Sequence, residues 1–164
     1  MIISVKNKHT LQVDEFKFKC CIGKNGLTSN KKEGDKKTPK GTYKIENLYF
    51  RNDRLEKPET SLKCIEIEST MGWCDDIRFP KKYNKLIKTS NQIKHEKLKR
   101  KDNKYDLLIP IKYNFIKPIT GKGSCIFIHL TENYKPTDGC IAIKKKDFLI
   151  LLKLINKTTK IKIF

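Results

Sequence analysis

The sequence predicts a mainly β domain, a sandwich or barrel-like fold with one or two short helices. Short runs that alternate apolar and polar residues, or that are mostly apolar, recur along the chain between turn residues. Only one segment, near the C-terminus, combines an apolar pattern with a helical start signal. Because 164 residues suffice for one ordinary domain, we expect a single domain over residues 1–164.

The predicted strands of the first half follow from period-two patterns. Residues 16–20 alternate apolar and polar side chains and end at a turn in which two glycines flank Lys24 and Asn25. A polar loop follows, and residues 42–50 form the next predicted strand. In residues 62–68 two isoleucines alternate with two glutamates, which indicates a half-exposed strand.

In the second half of the chain, the sequence pattern predicts more strands and one helix. Residues 95–100 are expected to form a helical turn, and residues 105–113 a strand in which Pro110 indicates a bulge or an edge position. Asp147 is expected to cap a helix over residues 148–156. The remaining predicted strands are residues 124–130, 140–143 and 160–164.

The charge balance is strongly basic, with 37 Lys and Arg against 18 Asp and Glu and a net charge of +19. Such a charge is typical of proteins that bind anionic partners. Here, however, the lysines are spread over the whole chain, and no RNA-recognition, zinc-finger or helix-turn-helix pattern is present. We therefore predict no specific nucleic-acid partner, and a basic module that binds an anionic polymer is the non-enzymatic alternative.

Membrane and export signals are both missing from the pattern. No apolar run approaches the roughly 18 residues that a membrane span needs. No signal peptide precedes the first strand-like segment, which begins at Ile2. Taken literally, this pattern predicts a cytoplasmic protein.

Six cysteines raise the question of disulfides or metal. Neither a Cys-x-x-Cys pair nor a Cys/His cluster has zinc spacing, so no metal site and no cofactor are predicted. Most of these thiols are expected to be small buried side chains. The six are Cys20, Cys21, Cys64, Cys74, Cys125 and Cys140.

Cys140 has the sequence context of a nucleophile. It directly follows Gly139, at the junction of a polar loop and an apolar strand, where successive backbone N–H groups can converge on an oxyanion. His129 stands eleven residues upstream at the end of another apolar strand. An imidazole beside a thiol either removes its proton or stabilises the thiolate. The spacing alone is a weak signal, and by itself it favours a buried core thiol and a hydrogen-bonded strand-end histidine.

Two motifs, in the order in which they follow each other along the chain, favour an enzymatic function for Cys140 and His129 over a structural one. His129 is followed by Thr137-Asp138-Gly139-Cys140, and residues 34–43 read Gly-Asp-Lys-Lys-Thr-Pro-Lys-Gly-Thr-Tyr. Together they resemble the L,D-transpeptidase catalytic domain family (YkuD-like), in a compact branch of it. The resemblance is strongest over residues 20–164 and implies an L,D-transpeptidase-like β-sandwich.

The resemblance implies a cysteine-dependent acyl transfer on peptidoglycan stem peptides. Cys140 would be the nucleophile and His129 its base, while the backbone at Asp138 and Gly139 would hold the oxyanion. Thr137 and Trp73 are the candidate substrate-binding residues, with Trp73 equally able to fill the core. The implied enzyme is a monomer that needs no metal and no cofactor, and its function implies a place in the periplasm or cell envelope.

Two positions depart from the family pattern. Asp138 stands where a histidine is usual, and Ala142 where an arginine or asparagine is usual. These departures bear on substrate choice, so an L,D-carboxypeptidase or amidase with the same nucleophile is the alternative enzymatic function. His95 is a second possible base, which we expect to be structural or part of a substrate loop.

Overall fold

The computed structural model describes residues 1–164, which form fifteen strands and one helix. The strands are β1 (Ile2–Lys6), β2 (Thr10–Val13), β3 (Phe16–Cys21), β4 (Leu27–Thr28), β5 (Thr38–Pro39), β6 (Gly41–Lys44), β7 (Leu48–Phe50), β8 (Cys64–Glu66), β9 (Met71–Cys74), β10 (Leu86–Lys88), β11 (His95–Lys97), β12 (Leu107–Pro110), β13 (Phe127–Leu130), β14 (Ile141–Ile143) and β15 (Lys160–Ile163). The helix, α1, spans Lys145–Leu154.

Ten of these strands form one mixed sheet in the order β6-β15-β1-β2-β3-β14-β13-β12-β7-β8. A second sheet has the order β10-β9-β11, and β4 pairs with β5. Six of the nine neighbouring pairs in the large sheet are antiparallel, while β1 with β15, β7 with β8, and β13 with β14 run parallel. The pair of β13 and β14 lies at the centre of the large sheet, where both faces can be covered.

The large sheet has apolar cores on both of its faces. The larger core lies on the face that α1 covers and includes Phe148, Leu151 and Leu152 of that helix. On the other face, the three-stranded sheet packs through Trp73 against Tyr49 and Phe127, in edge-to-face aromatic contacts. The predicted mainly β sandwich with one or two short helices is therefore confirmed, with a single helix.

The helix begins and ends earlier than predicted. It starts at Lys145, so Asp147 lies inside the first turn and Lys144 is the capping residue, without a side-chain cap. Asp147 still complements the positive end of the helix dipole, which explains the sequence signal. No helix of the chain is long and apolar enough to cross a membrane.

Three other element predictions need correction. Residues 95–100 do not form a helical turn, because β11 pairs with β9 and places His95 opposite Cys74. Residues 42–50 divide into β6 and β7, which belong to opposite ends of the large sheet. Pro110 lies at the end of central strand β12 and not at an edge, and of the two expectations the bulge fits, because the register beside it shifts by one residue between Leu108 opposite Tyr49 and Ile111 opposite Ile45.

Candidate active site

Two neighbouring central strands bring Cys140 and His129 together. β13 and β14 pair in parallel with His129 opposite Ala142, and Cys140 precedes β14 by one residue. Cys140 therefore lies diagonally across from His129, at a separation that side chains can bridge. Both residues are buried, with 8% and 5% of their surfaces exposed, and both line the same cavity.

That cavity has a volume of about 920 Å³, and its walls are mostly polar or charged. Its floor is formed by Cys140, His129, Cys125 and Ala142, and the loop between β13 and β14 closes one side. Carboxylates and lysines line the rest of the opening. A site of this size and chemistry suits a charged peptide better than an apolar ligand.

The Cys140 thiol is held by two backbone groups. Its Sγ donates to the Cys125 carbonyl oxygen at 3.1 Å and accepts from the Phe127 N–H at 3.4 Å. Cys125 has a left-handed backbone conformation, with φ of +54°, which is rare for a residue other than glycine. This unusual turn directs its carbonyl toward the thiol. The thiol hydrogen therefore points at a carbonyl in the resting site.

The His129 ring is oriented by the next residue in the chain. Its Nδ1 lies 2.9 Å from the Leu130 carbonyl oxygen, and a carbonyl only accepts hydrogen bonds. Nδ1 therefore carries the proton, and Nε2 keeps a lone pair that can take one up. The Tyr105 ring packs edge-on against the imidazole, with 5.3 Å between ring centroids.

Burial keeps both groups neutral. Desolvation raises the pKa of Cys140 to about 12, against a smaller opposing effect of the Phe127 N–H. Desolvation also lowers the pKa of His129 to about 4, although the Leu130 carbonyl favours the charged ring. At neutral pH the site therefore holds a thiol and a neutral imidazole. It suits proton removal during attack, and not a preformed thiolate–imidazolium pair.

Residues 34–43 reach the site through Thr38. This fully buried side chain accepts from the Gly23 N–H at 2.9 Å and donates to the Gly139 carbonyl at 2.8 Å. The Gly139 backbone has φ of +137°, and a Cβ there would come within 3.0 Å of the Lys37 carbonyl oxygen. Only glycine fits such a position. The two sequence motifs are thus one structural unit around the residue before Cys140.

The Thr137 side chain shapes the turn that leads into the nucleophile. Its Oγ1 donates to the Cys140 carbonyl at 2.6 Å and accepts from the Gly139 N–H at 3.2 Å. The backbone N–H groups of Asp138 and Cys140 make no hydrogen bond within the chain. These two, and not the N–H of Gly139, are free to meet an oxyanion.

Trp73, the other candidate substrate-binding residue, does not line the cavity. It is 2% exposed, lies in the smaller core together with Cys140, and donates from its indole N–H to Asn84 at 2.9 Å. The structure therefore favours the core role over direct contact with a substrate. His95 also lies outside the cavity, with its Nδ1 2.6 Å from the Ile93 carbonyl and its Nε2 buried without a partner.

Charged side chains of both signs line the cavity wall. Asp75 pairs with Lys94 at 3.1 Å through Oδ2, while its Oδ1 is buried without a hydrogen-bond partner. Glu96 pairs with Arg100 at 2.8 Å and adds to the rise in the Cys140 pKa. Lys104 makes no ion pair, and its charge contributes to the lowered pKa of His129.

Sequence reasoning missed the supporting groups of the pair. The carbonyls of Leu130 and Cys125 act through the backbone, which carries no sequence signal. Tyr105 belongs to a predicted strand but only the fold brings it against the imidazole. Thr38 had a signal, because it lies inside the Thr-Pro-x-Gly stretch that carried the family resemblance. Among all side chains, no group of three or more His, Cys, Asp or Glu residues has an arrangement that could hold a metal ion.

Comparison with known proteins gives one match. A family model described as the L,D-transpeptidase catalytic domain (YkuD) matches residues 1–163 of the chain. No curated protein and no solved structure matches it. The matched span contains the complete cavity and both sequence motifs.

Proposed function

Because the chain belongs to the L,D-transpeptidase catalytic domain family, we propose that it is a peptidoglycan L,D-transpeptidase with Cys140 as its nucleophile. The observation that carries the proposal is the pairing of β13 with β14, which sets Cys140 diagonal to His129 in one cavity. The acyl donor is a tetrapeptide stem, and the acceptor is an amine. The family supplies the substrate class, and the residues supply the mechanism.

The first half of the reaction forms a thioester. Cys140 Sγ attacks the carbonyl at the L-centre of the diaminopimelate residue, while the thiol proton turns from the Cys125 carbonyl to Nε2 of His129. A carbon–sulfur bond forms, and the carbonyl oxygen becomes an oxyanion. When this intermediate collapses, the amide carbon–nitrogen bond breaks and His129 returns the proton to the departing D-alanine.

The oxyanion requires donors fixed in advance. The free N–H groups of Asp138 and Cys140 come from the same turn, which Thr137 and Thr38 hold from both sides. The exposed Asp138 carboxylate lies 3.8 Å from the Lys36 ammonium, so its charge is partly balanced at the cavity rim. The backbone N–H of Asp138 can therefore serve as an oxyanion donor while the carboxylate of the same residue stays in solvent.

The second half transfers the acyl group to an amine. The acceptor nitrogen attacks the thioester and loses a proton to His129, the carbon–sulfur bond breaks, and the Cys140 thiol is restored. The transpeptidase description of the family favours an amine over water as the acceptor. Asp75 and Glu96 line the cavity, but each already pairs with a cation of the chain, so they do not select an ammonium group.

Lys104 and Lys145 offer positive charge for the substrate carboxylates. Ala142 lies on the cavity floor opposite His129, so the basic or amide side chain usual at this position is missing. Neither lysine makes an ion pair within the chain. Both line the same cavity, which lets them take over the binding of an anionic group.

Mass spectrometry of defined tetrapeptide muropeptides incubated with the purified protein tests this function. We expect cross-linked dimers and released D-alanine from the wild type, and a loss of roughly a thousandfold or more in rate for Cys140→Ser. Cys64→Ser is the matched control, because Cys64 lies in edge strand β8 and outside the cavity, and it should retain full activity.

The products that form distinguish the proposed transpeptidase from a carboxypeptidase and from a non-catalytic module. Release of D-alanine without any dimer identifies an L,D-carboxypeptidase and contradicts the amine acceptor. Retention of most of the activity by Cys140→Ser contradicts the nucleophile. If neither product forms while the protein binds soluble anionic polymers, the chain is the non-catalytic basic module.

A further inference from the structure

The outer face of five neighbouring strands carries an unusual charge array. In the order β6-β15-β1-β2-β3, the core-facing side chains are buried and the alternate ones are exposed. We call the exposed side the lysine face, because six of its side chains are lysines and none is a carboxylate. The six are Lys6, Lys17, Lys19, Lys44, Lys160 and Lys162.

The strand register sets the spacing of these lysines. Lys160 lies directly opposite Lys44 on one neighbouring strand and opposite Ile2 on the other. Strands in a sheet are about 4.8 Å apart and outward positions along a strand about 7 Å apart, so Lys44, Lys160 and Lys162 are near neighbours. Lys17 lies three strands away from Lys162, beyond Ser4 and Gln12. The ammonium groups therefore form a two-dimensional array that is dense at β6 and β15 and more open toward β3.

Nothing within the chain neutralises this array. The ion pairs of the protein involve other lysines, and none of the six makes one. Like charges directly opposite each other in a sheet are destabilising. Threonine and glutamine occupy the equivalent outward positions at Thr10, Gln12 and Thr42, so uncharged side chains fit this face equally well. The structure of the sheet itself does not require the lysines.

Two apolar side chains are exposed among the lysines. Ile2 is 51% exposed in β1, and Phe164 is 46% exposed just beyond β15, with Lys162 Nζ lying 4.4 Å from its ring centroid. They lie near opposite ends of the parallel pair that β1 and β15 form. A single-stranded nucleic acid would require aromatic platforms along its path, but aromatic side chains border this face only at its ends, with Phe164 beside Lys162 and Tyr134 beside Lys19. Scattered apolar side chains among lysines match a lipid surface, into which they can insert.

We propose that the lysine face binds the surface of a membrane rich in anionic phospholipid. The ammonium groups meet the phosphate groups of the lipids, and Ile2 and Phe164 enter the boundary between head groups and acyl chains. Four to eight lysines facing one anionic surface are enough for reversible attachment. Because these residues lie outside the catalytic cavity, the inference does not depend on the proposed activity.

Sedimentation with lipid vesicles tests the proposal on the full chain. The wild type should bind vesicles that contain phosphatidylglycerol, should not bind pure phosphatidylcholine vesicles, and should dissociate as salt rises. A variant with Lys17→Gln, Lys44→Gln, Lys160→Gln and Lys162→Gln should bind roughly tenfold more weakly or worse. Ile2→Ser with Phe164→Ser should lower the salt concentration at which half of the protein dissociates from the vesicles, because the apolar contribution to binding is lost.

A control variant that removes the same number of charges distinguishes an effect of the lysine face from an effect of the net charge. Lys63, Lys81, Lys88 and Lys117 are exposed, lie outside the lysine face and make no ion pairs. Their replacement by glutamine also removes four positive charges, yet it should leave vesicle binding within about twofold of the wild type. Thermal unfolding of both variants verifies that the sheet is intact.

Three outcomes would overturn the proposal. Equal loss of binding in the two quadruple variants would mean that only net charge matters. Wild-type binding to a soluble polyanion such as polyphosphate, without binding to anionic vesicles, would assign the face to a polymer instead. Absence of binding to either would leave the array without a ligand.

Discussion

Burial determines the protonation states of Cys140 and His129. An exposed thiol and imidazole would titrate near neutrality, and proximity would favour their ion pair. Here desolvation penalises both charged forms, and the pKa values move apart, to about 12 for the thiol and about 4 for the imidazole. A pair in this state is unreactive toward most electrophiles until a substrate provides an oxyanion that the backbone can hold.

The rate at which iodoacetamide alkylates Cys140, followed by peptide mass spectrometry, reports the protonation state of the thiol. We expect the rate to rise about tenfold per pH unit between pH 7 and 9 with no plateau at lower pH, because only the rare thiolate reacts. The His129→Ala variant should show the same slope. A constant rate between pH 5 and 7 that His129→Ala abolishes would instead demonstrate a stable thiolate–imidazolium pair.

At the scale of elements, the short strand β5 and its flanking loop anchor the catalytic turn. Thr38 connects the Gly23 N–H to the Gly139 carbonyl, so three distant segments of the chain meet at one hydroxyl. All of these groups are buried, and a buried polar group that loses its partner is strongly unfavourable. The motif around Thr38 therefore fixes the backbone of Gly139, the residue before Cys140.

Replacement of Thr38 by valine tests this anchoring role. Valine keeps the shape but leaves a buried N–H and a buried carbonyl unpaired, which should lower the free energy of unfolding by about 3 kcal/mol. Turnover should also fall, because Gly139 would no longer be held. Thr42→Val is the control, since Thr42 is exposed in β6 and makes no side-chain hydrogen bond. Equal urea midpoints for the two variants would contradict the anchoring role.

The same scale shows which elements a sequence can predict. Residues 16–20 have one buried and one exposed face, and their alternation placed a strand that the structure confirms as β3. Residues 95–100 carry no such pattern, and β11 exists because β9 offers it a partner. Residues 42–50 looked continuous, yet a bridge between Ile45 and Ile111 marks where the chain moves across the sheet. Whether such a segment forms a strand depends on its pairing partner, and that partner is distant in sequence.

For the whole molecule, the sequence predicted the class of fold, which the structure confirms, and it proposed Cys140 and His129 as the reacting pair, which stays a prediction. The mainly β sandwich followed from many short strands, and Cys140 with His129 followed from two motifs in order. The second core was not predictable, because Trp73, Tyr49 and Phe127 come from three separate segments. For the same reason the sequence left Trp73 undecided between core and cleft. The array on the lysine face likewise exists only through the strand register.

The buried His129 also makes the stability of the whole fold depend on pH. Its pKa in the folded protein is about 4, below the 6.5 of an unfolded chain, so between these values the unfolded state binds the proton first. Stability is therefore complete above pH 6.5 and falls as the pH decreases toward 4, by about 3 kcal/mol from this residue. Urea unfolding at several pH values, compared between the wild type and His129→Gln, isolates the contribution. The variant should lose less stability on acidification, whereas His9→Gln, at an exposed turn, should follow the wild type. Parallel curves for the wild type and His129→Gln would mean that folding does not shift the pKa of the imidazole, and burial would then not be what keeps His129 neutral.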